Sequence, residues 1–131
     1  MCSVRVGIAS NENDVAWNCF LCSWGRIQET PGEDPYLSGQ WAINYVRGLQ
    51  EGDDPRYVKV SADCKHFAAY DMEDSDGFTR HNFPANVTAQ DLHDSYLPHF
   101  QDCVASGRVT SVMGSVSIPG CVLAAWHVHR A

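Results

Sequence analysis

Lys65 and His66 stand together where a run of alternating apolar residues ends, the place where functional groups gather in α/β folds. An ammonium beside an imidazole offers several hydrogen bonds to neighbouring hydroxyls, which suits a sugar ring; the plainer alternative is a solvated strand end. A second candidate loop carries Trp24-Gly25-Arg26, then Glu29, then Gly32-Glu33-Asp34-Pro35. Arg presents a fixed fork of donors and Trp a flat apolar face, a pairing that fits carbohydrate. Glu33 and Asp34 have a simpler use, complementing the dipole of a following helix.

Other clusters carry less. Cys19-x-x-Cys22 has redox or metal-ligand spacing, but no second such pair follows, and His127-x-His129 lies far away in the tail. The acidic loop Asp71–Asp76 lacks the ligand spacing and closing Glu of a calcium loop, so it reads as a solvated face. Asn86-Val87-Thr88 is a glycosylation sequon whose Thr also serves as a helix cap. No metal and no cofactor is expected. The six cysteines, Cys2, Cys19, Cys22, Cys64, Cys103 and Cys121, are irregularly spaced in a chain larger than disulfide-stapled miniproteins, which favours mostly free thiols.

The elements that must position these residues follow from periodicity. Asp34-Pro35 is a helix start, and Leu37, Trp41, Tyr45 and Leu49 recur every four residues beside Ala42 and Val46, which predicts one apolar helical face. Over Tyr57–Cys64, Val58, Val60 and Ala62 alternate with Lys59, Ser61 and Asp63, a strand pattern leading into Lys65-His66. After the polar loop Ala68–Asn86, Thr88 caps a second helix in which Leu92, Tyr96, Phe100 and Val104 repeat and Pro98 should kink or divide the helix. Gly107 follows that row, and Val109–Val116 is the next strand candidate; a short strand fits near Val4–Ile8. Strand and helix alternate as in a parallel α/β sheet, whether a barrel or an open sheet.

Composition sets the bounds. A chain of 131 residues with 44% apolar content can build one real core. With 9 Lys+Arg against 16 Asp+Glu, net charge −7, and the basic residues scattered singly, nucleic acid and anionic membrane are poor partners. No apolar run approaches the roughly 20 residues of a membrane span, and Met1–Ser10 is too short in apolar residues for a secretory signal, which leaves localisation undetermined.

In order and wording, WGRIQETPGEDPYLSGQWAINYVRGLQ, YVKVSADCKHFAAYD and TRHNFPANVTAQDLHDSYLPHFQDCVASGRVTSVM resemble family 3 glycoside hydrolases, specifically the β-xylosidase-like members, over about Trp24–Ser115. The resemblance implies an α/β fold, a partial TIM (β/α)8 barrel of about three βα units, within residues 24–116, flanked by divergent segments 1–23 and 117–131. It implies retaining hydrolysis of O-glycosyl bonds, with a β-xyloside or β-glucoside as substrate and xylan or other polysaccharide breakdown as context; full-length relatives are often secreted. Arg26, Lys65 and His66 match residues that hold the sugar hydroxyls, and Glu29, Tyr70 and Arg80 are further candidates near the cleft.

The departures also carry expectations. Before Trp24 the chain reads Asn18-Cys19-Phe20-Leu21-Cys22-Ser23, without the Arg-Asp-Pro element usual in the family. After Ser111-Val112-Met113 no Ser-Asp-x-x-Ala follows, so the nucleophile Asp and the general acid/base are expected outside this chain. Because a closed barrel takes about 250 residues, the chain reads as a truncated or mis-spliced piece, inactive alone, with open strand edges and uncovered apolar helix faces. A non-catalytic sugar-binding or interaction fragment is the alternative, and a small metal or redox protein built on Cys19 and Cys22 is a third.

Overall fold

The computed structural model describes residues 3–7, 26, 29–70, 73–75, 77–82 and 87–115. Cys19, Cys22, Trp24, Asp71, Asp76, Asn86 and the His127-x-His129 tail lie outside them. In chain order the elements are β1 (Ser3–Gly7), α1 (Pro35–Gln50), β2 (Ser61–Phe67), β3 (Asp74–Ser75) and β4 (Phe78–Thr79). There follow α2 (Ala89–Asp91), α3 (Pro98–Gln101) and β5 (Ser111–Gly114), with wide helical turns at Leu92–Tyr96 and Asp102–Ser106.

β1, β2 and β5 form one parallel sheet in that order, Ser3 opposite Ser61 and Asp63 opposite Ser111. Serial parallel strands joined through helices form the wall of a (β/α) barrel, whereas a doubly wound sheet would reverse its order at a switch point. The chain is thus α/β, with the architecture of a partial barrel. β3 and β4 pair separately as an antiparallel hairpin inside the stretch expected to be loop.

The expected caps form. Asp34 accepts from Leu37 N at 2.9 Å with Pro35 in the first turn, and Thr88 caps α2 by accepting from Asp91 N at 3.1 Å. Pro98 divides the second helix by opening α3, its missing N–H falling where no intrahelical partner is needed.

α1 departs in part from the expected face. Its buried residues are Ser38, Gly39, Ala42, Val46 and Gln50, while Leu37 is 50% and Tyr45 41% exposed. Trp41 and Leu49 pack against the core from its edge as expected, and Trp41 also stacks on Tyr45, ring centres 4.8 Å apart. The cause of the departure is close approach: a Cβ on Gly39 would strike the Asp102 carboxylate, so the contact with the second helix admits only small side chains. Ala42 and Val46 join Ala62, Cys64, Ala68, Phe100 and Cys103 in the core.

β2 begins later than its alternation suggested, and Tyr57 and Val58 are exposed. Ala62 through Lys65 are buried consecutively because a central parallel strand is covered on both faces. Gln50 pegs this strand to its neighbour: its side chain donates to Arg108 O at 2.8 Å and accepts from Thr110 N at 2.9 Å and Ala62 N at 3.3 Å. The second helix ends at Gly107, where an added Cβ would lie 2.6 Å from Cys103 O, and the left-handed conformation falls on Arg108 (φ 56°).

Cys64 and Cys103 form a disulfide, 39 residues apart in sequence, between β2 and the second helix. The expectation of mostly free thiols fails at these two, because the crossover helix returns over the strand and spacing alone carries no sign of that. The other four cysteines lie outside the described residues.

Candidate functional site

Three stretches far apart in sequence converge at the C-terminal end of β2. Lys65 is buried, and its ammonium is bonded to Glu29 Oε2. The register against β5 shifts between Lys65 and Phe67, an irregularity of the kind that re-aims side chains beside functional sites. The Lys65–His66 and Phe67–Ala68 peptide bonds are cis.

Glu29 grips Arg26 in a two-pronged pair: Nε donates to Oε1 at 2.7 Å and Nη2 to Oε2 at 2.9 Å. Burial opposes the charge on Glu29, but the bonds from Arg26 and Lys65 outweigh it and hold its carboxyl at about 2, so it is ionised at neutral pH. Arg26 Nη1 lies 3.4 Å from His66 Nε2. Burial, with Lys65 and Arg26 adjacent, pushes His66 down to about 4, and the neutral ring can accept from that guanidinium.

Beyond β2, Tyr70 packs edge-on against His66, ring centres 4.8 Å apart, and donates to Glu73 Oε1 at 2.5 Å. Glu73 Oε1 lies 3.6 Å from Arg26 Nε, and Glu73 Oε2 takes Arg80 Nη1 at 3.4 Å. Burial, followed by the bond to Glu73, raises the Tyr70 hydroxyl above its ordinary value. Arg80, half exposed at the rim, also donates from Nε to His81 Nε2 at 3.2 Å.

The structure therefore gathers all six sequence candidates, Arg26, Glu29, Lys65, His66, Tyr70 and Arg80, into one network. It adds Glu73, which sequence reasoning assigned to a solvated acidic loop. The only available hint was its position three residues after Tyr70. Glu33 and Asp34 stay outside the network, Asp34 serving as the α1 cap. Among the described residues, no three His, Cys, Asp or Glu side chains converge as a metal site requires.

Chemically, the cluster combines a buried ammonium, a braced guanidinium and a neutral imidazole around two carboxylates. Such charge-assisted donors and acceptors suit the vicinal hydroxyls of a sugar. Both carboxylates are engaged with cations or Tyr70.

Residues 14–129 match the model of the glycosyl hydrolase family 3 N-terminal domain. Beta-xylosidase/alpha-L-arabinofuranosidase 2 of Medicago sativa subsp. varia is 54% identical over 94 residues, 70% of this chain and 12% of its own length. A probable exo-1,4-beta-xylosidase of Aspergillus fumigatus is 50% identical over 102 residues, 75% of this chain and 13% of its own. Among solved structures, the GH3 exo-beta-xylosidase XlnD, in complex with a xylobiose aziridine activity-based probe, superposes with TM-score 0.69 at 38% identity, covering 73% of this chain and 12% of that one. Beta-glucosidase 3B of Thermotoga neapolitana, in complex with glycerol, gives TM-score 0.68 at 26% identity, covering 88% and 14%. The chain thus spans about an eighth of the length of the curated relatives it matches, 12% and 13%.

Proposed function

Since the chain belongs to glycosyl hydrolase family 3 through its N-terminal domain, we propose that it supplies the sugar-holding part of a retaining β-xylosidase- or β-glucosidase-like exo-hydrolase. The observation that carries this reading is the convergence of Arg26, Lys65 and His66 on one another through Glu29. In it, Lys65 and Arg26 donate to ring hydroxyls while neutral His66 accepts or donates as the hydroxyl requires. Tyr70 and Arg80 line the rim, and a small β-glycoside is the substrate class.

Retaining hydrolysis needs one carboxyl as nucleophile and a second as acid/base, about 5–5.5 Å apart. Glu29 suits neither role. A nucleophile needs a free oxygen facing the anomeric carbon, and both oxygens of Glu29 are held by Arg26 and Lys65. A general acid needs a raised pKa, whereas Glu29 is held near 2. In this reading the two catalytic carboxyls come from outside this sequence, and the chain alone holds sugar without cleaving it.

The test is release of the chromophore from an aryl β-xyloside. The purified chain is expected to show none above buffer. Turnover that disappears in Lys65→Ala would overturn the assignment of the catalytic carboxyls.

A further inference from the structure

We propose that Glu73 is a positioning residue that aims the Arg26 guanidinium and ties the β3–β4 hairpin to the sugar-holding cluster, an inference that rests on the functional reading above. Four observations support it. Its Oε1 lies between the Tyr70 hydroxyl, at 2.5 Å, and Arg26 Nε, at 3.6 Å. Its Oε2 pairs with Arg80 at 3.4 Å. Its backbone carbonyl accepts from Arg80 N at 2.9 Å, closing the hairpin, so one residue fixes the hairpin's base and reaches the cluster. The chain leaving the hairpin is braced beside that base, where Asn82 Oδ1 accepts from Thr79 N at 2.6 Å and Thr79 Oγ1 at 3.1 Å.

The electrostatic balance gives Glu73 a purpose. Glu29 alone faces two cations, Arg26 and Lys65, and holds the guanidinium from one edge. A second carboxylate beside Nε, from a different segment, restricts rotation of the guanidinium about its axis and keeps Nη1 directed at His66. Because Glu73 also holds Arg80, displacing the hairpin must disturb Arg26. Glu73 acts through Arg26 and is assigned no contact with substrate.

The experiment uses the full 131-residue chain. The Nε–H signal of Arg26 is followed by nitrogen-edited NMR, and xylose affinity by titration, in wild type, Glu73→Gln, Glu73→Asp and Tyr70→Phe. Asp54→Asn, which removes an exposed ion pair with Arg56, controls for loss of a carboxylate elsewhere. Glu73→Gln is expected to shift and broaden the Arg26 signal and weaken xylose binding about tenfold, the loss of one charge-assisted contact. Glu73→Asp should restore part of both effects, and Asp54→Asn should change neither. An unmoved Arg26 signal in folded Glu73→Gln overturns the proposal. Should Glu73→Gln fail to fold, Tyr70→Phe decides: the same shift at smaller size supports the assignment and no shift refutes it. Absence of xylose binding by wild type would sink the functional reading, while the Arg26 signal would still decide the role of Glu73.

Discussion

Cys64 and Lys65 are neighbours in β2, yet they belong to regions built on opposite principles. Cys64 points into an apolar seam where α1, β2 and the second helix meet through Ala42, Val46, Phe100 and Cys103. Lys65 points into the charged cluster, where Arg26, Glu29, Lys65 and Glu73 each face an opposite charge. The seam is held by small residues in close contact and one covalent bond, the cluster by mutual electrostatic support. The cluster keeps its geometry because its strand is anchored in the seam, so loss of the cluster should spare the seam while loss of the seam should take the cluster with it.

The largest effect is expected where the seam is covalent. Closing a 39-residue separation with a disulfide stabilises a fold by roughly 4 kcal/mol in the chain-entropy picture. Reduction, or Cys103→Ser, should lower the denaturation midpoint accordingly, and an unchanged midpoint under reductant would show that the bond does not anchor the seam.

Acid should act next, on both regions. His99 is fully buried in the seam, and neither ring nitrogen has a hydrogen-bond partner among the described residues. Burial holds it down to about 4 against an ordinary 6.5. With the folded value depressed, the unfolded chain binds the proton first, so stability falls as pH drops from 6.5 towards 4, by roughly 3 kcal/mol. Glu29 works lower: held near 2 against 4.5, its contribution is present above 4.5 and is lost as pH falls towards 2. His99→Leu should reduce the loss between pH 6.5 and 4 and leave the lower part, the remainder of the upper loss coming from His66, also held down to about 4. An identical profile in that variant would place the acid sensitivity elsewhere, His66 being the remaining depressed histidine in the network.

The same contrast explains what the sequence disclosed. Lys65-His66 and Arg26 with Glu29 were readable because their chemistry is local: short words at a strand end and before a capped helix. Glu73 was not, since its partners are fixed by a hairpin inside an acidic stretch that looks solvated. In the seam, the caps Asp34 and Thr88 and the break at Pro98 were readable, because caps and breaks are decided within one turn. On α1, Trp41, Ala42, Val46 and Leu49 pack in or against the core as their period indicates, while Leu37 and Tyr45 stay exposed because helix packing selects the small residues Ser38, Gly39 and Ala42. Leu37, Tyr45 and Val112 remain exposed. The pairing of Cys64 with Cys103 depends on how the chain returns, which no spacing reveals.

The central claim is that the cluster holds a sugar, and titration of the chain with xylose tests it most directly. Saturable binding that disappears in Lys65→Ala, measured at a temperature where that variant is folded, is the expected result. Absence of binding by wild type, or equal binding by Lys65→Ala, would contradict it.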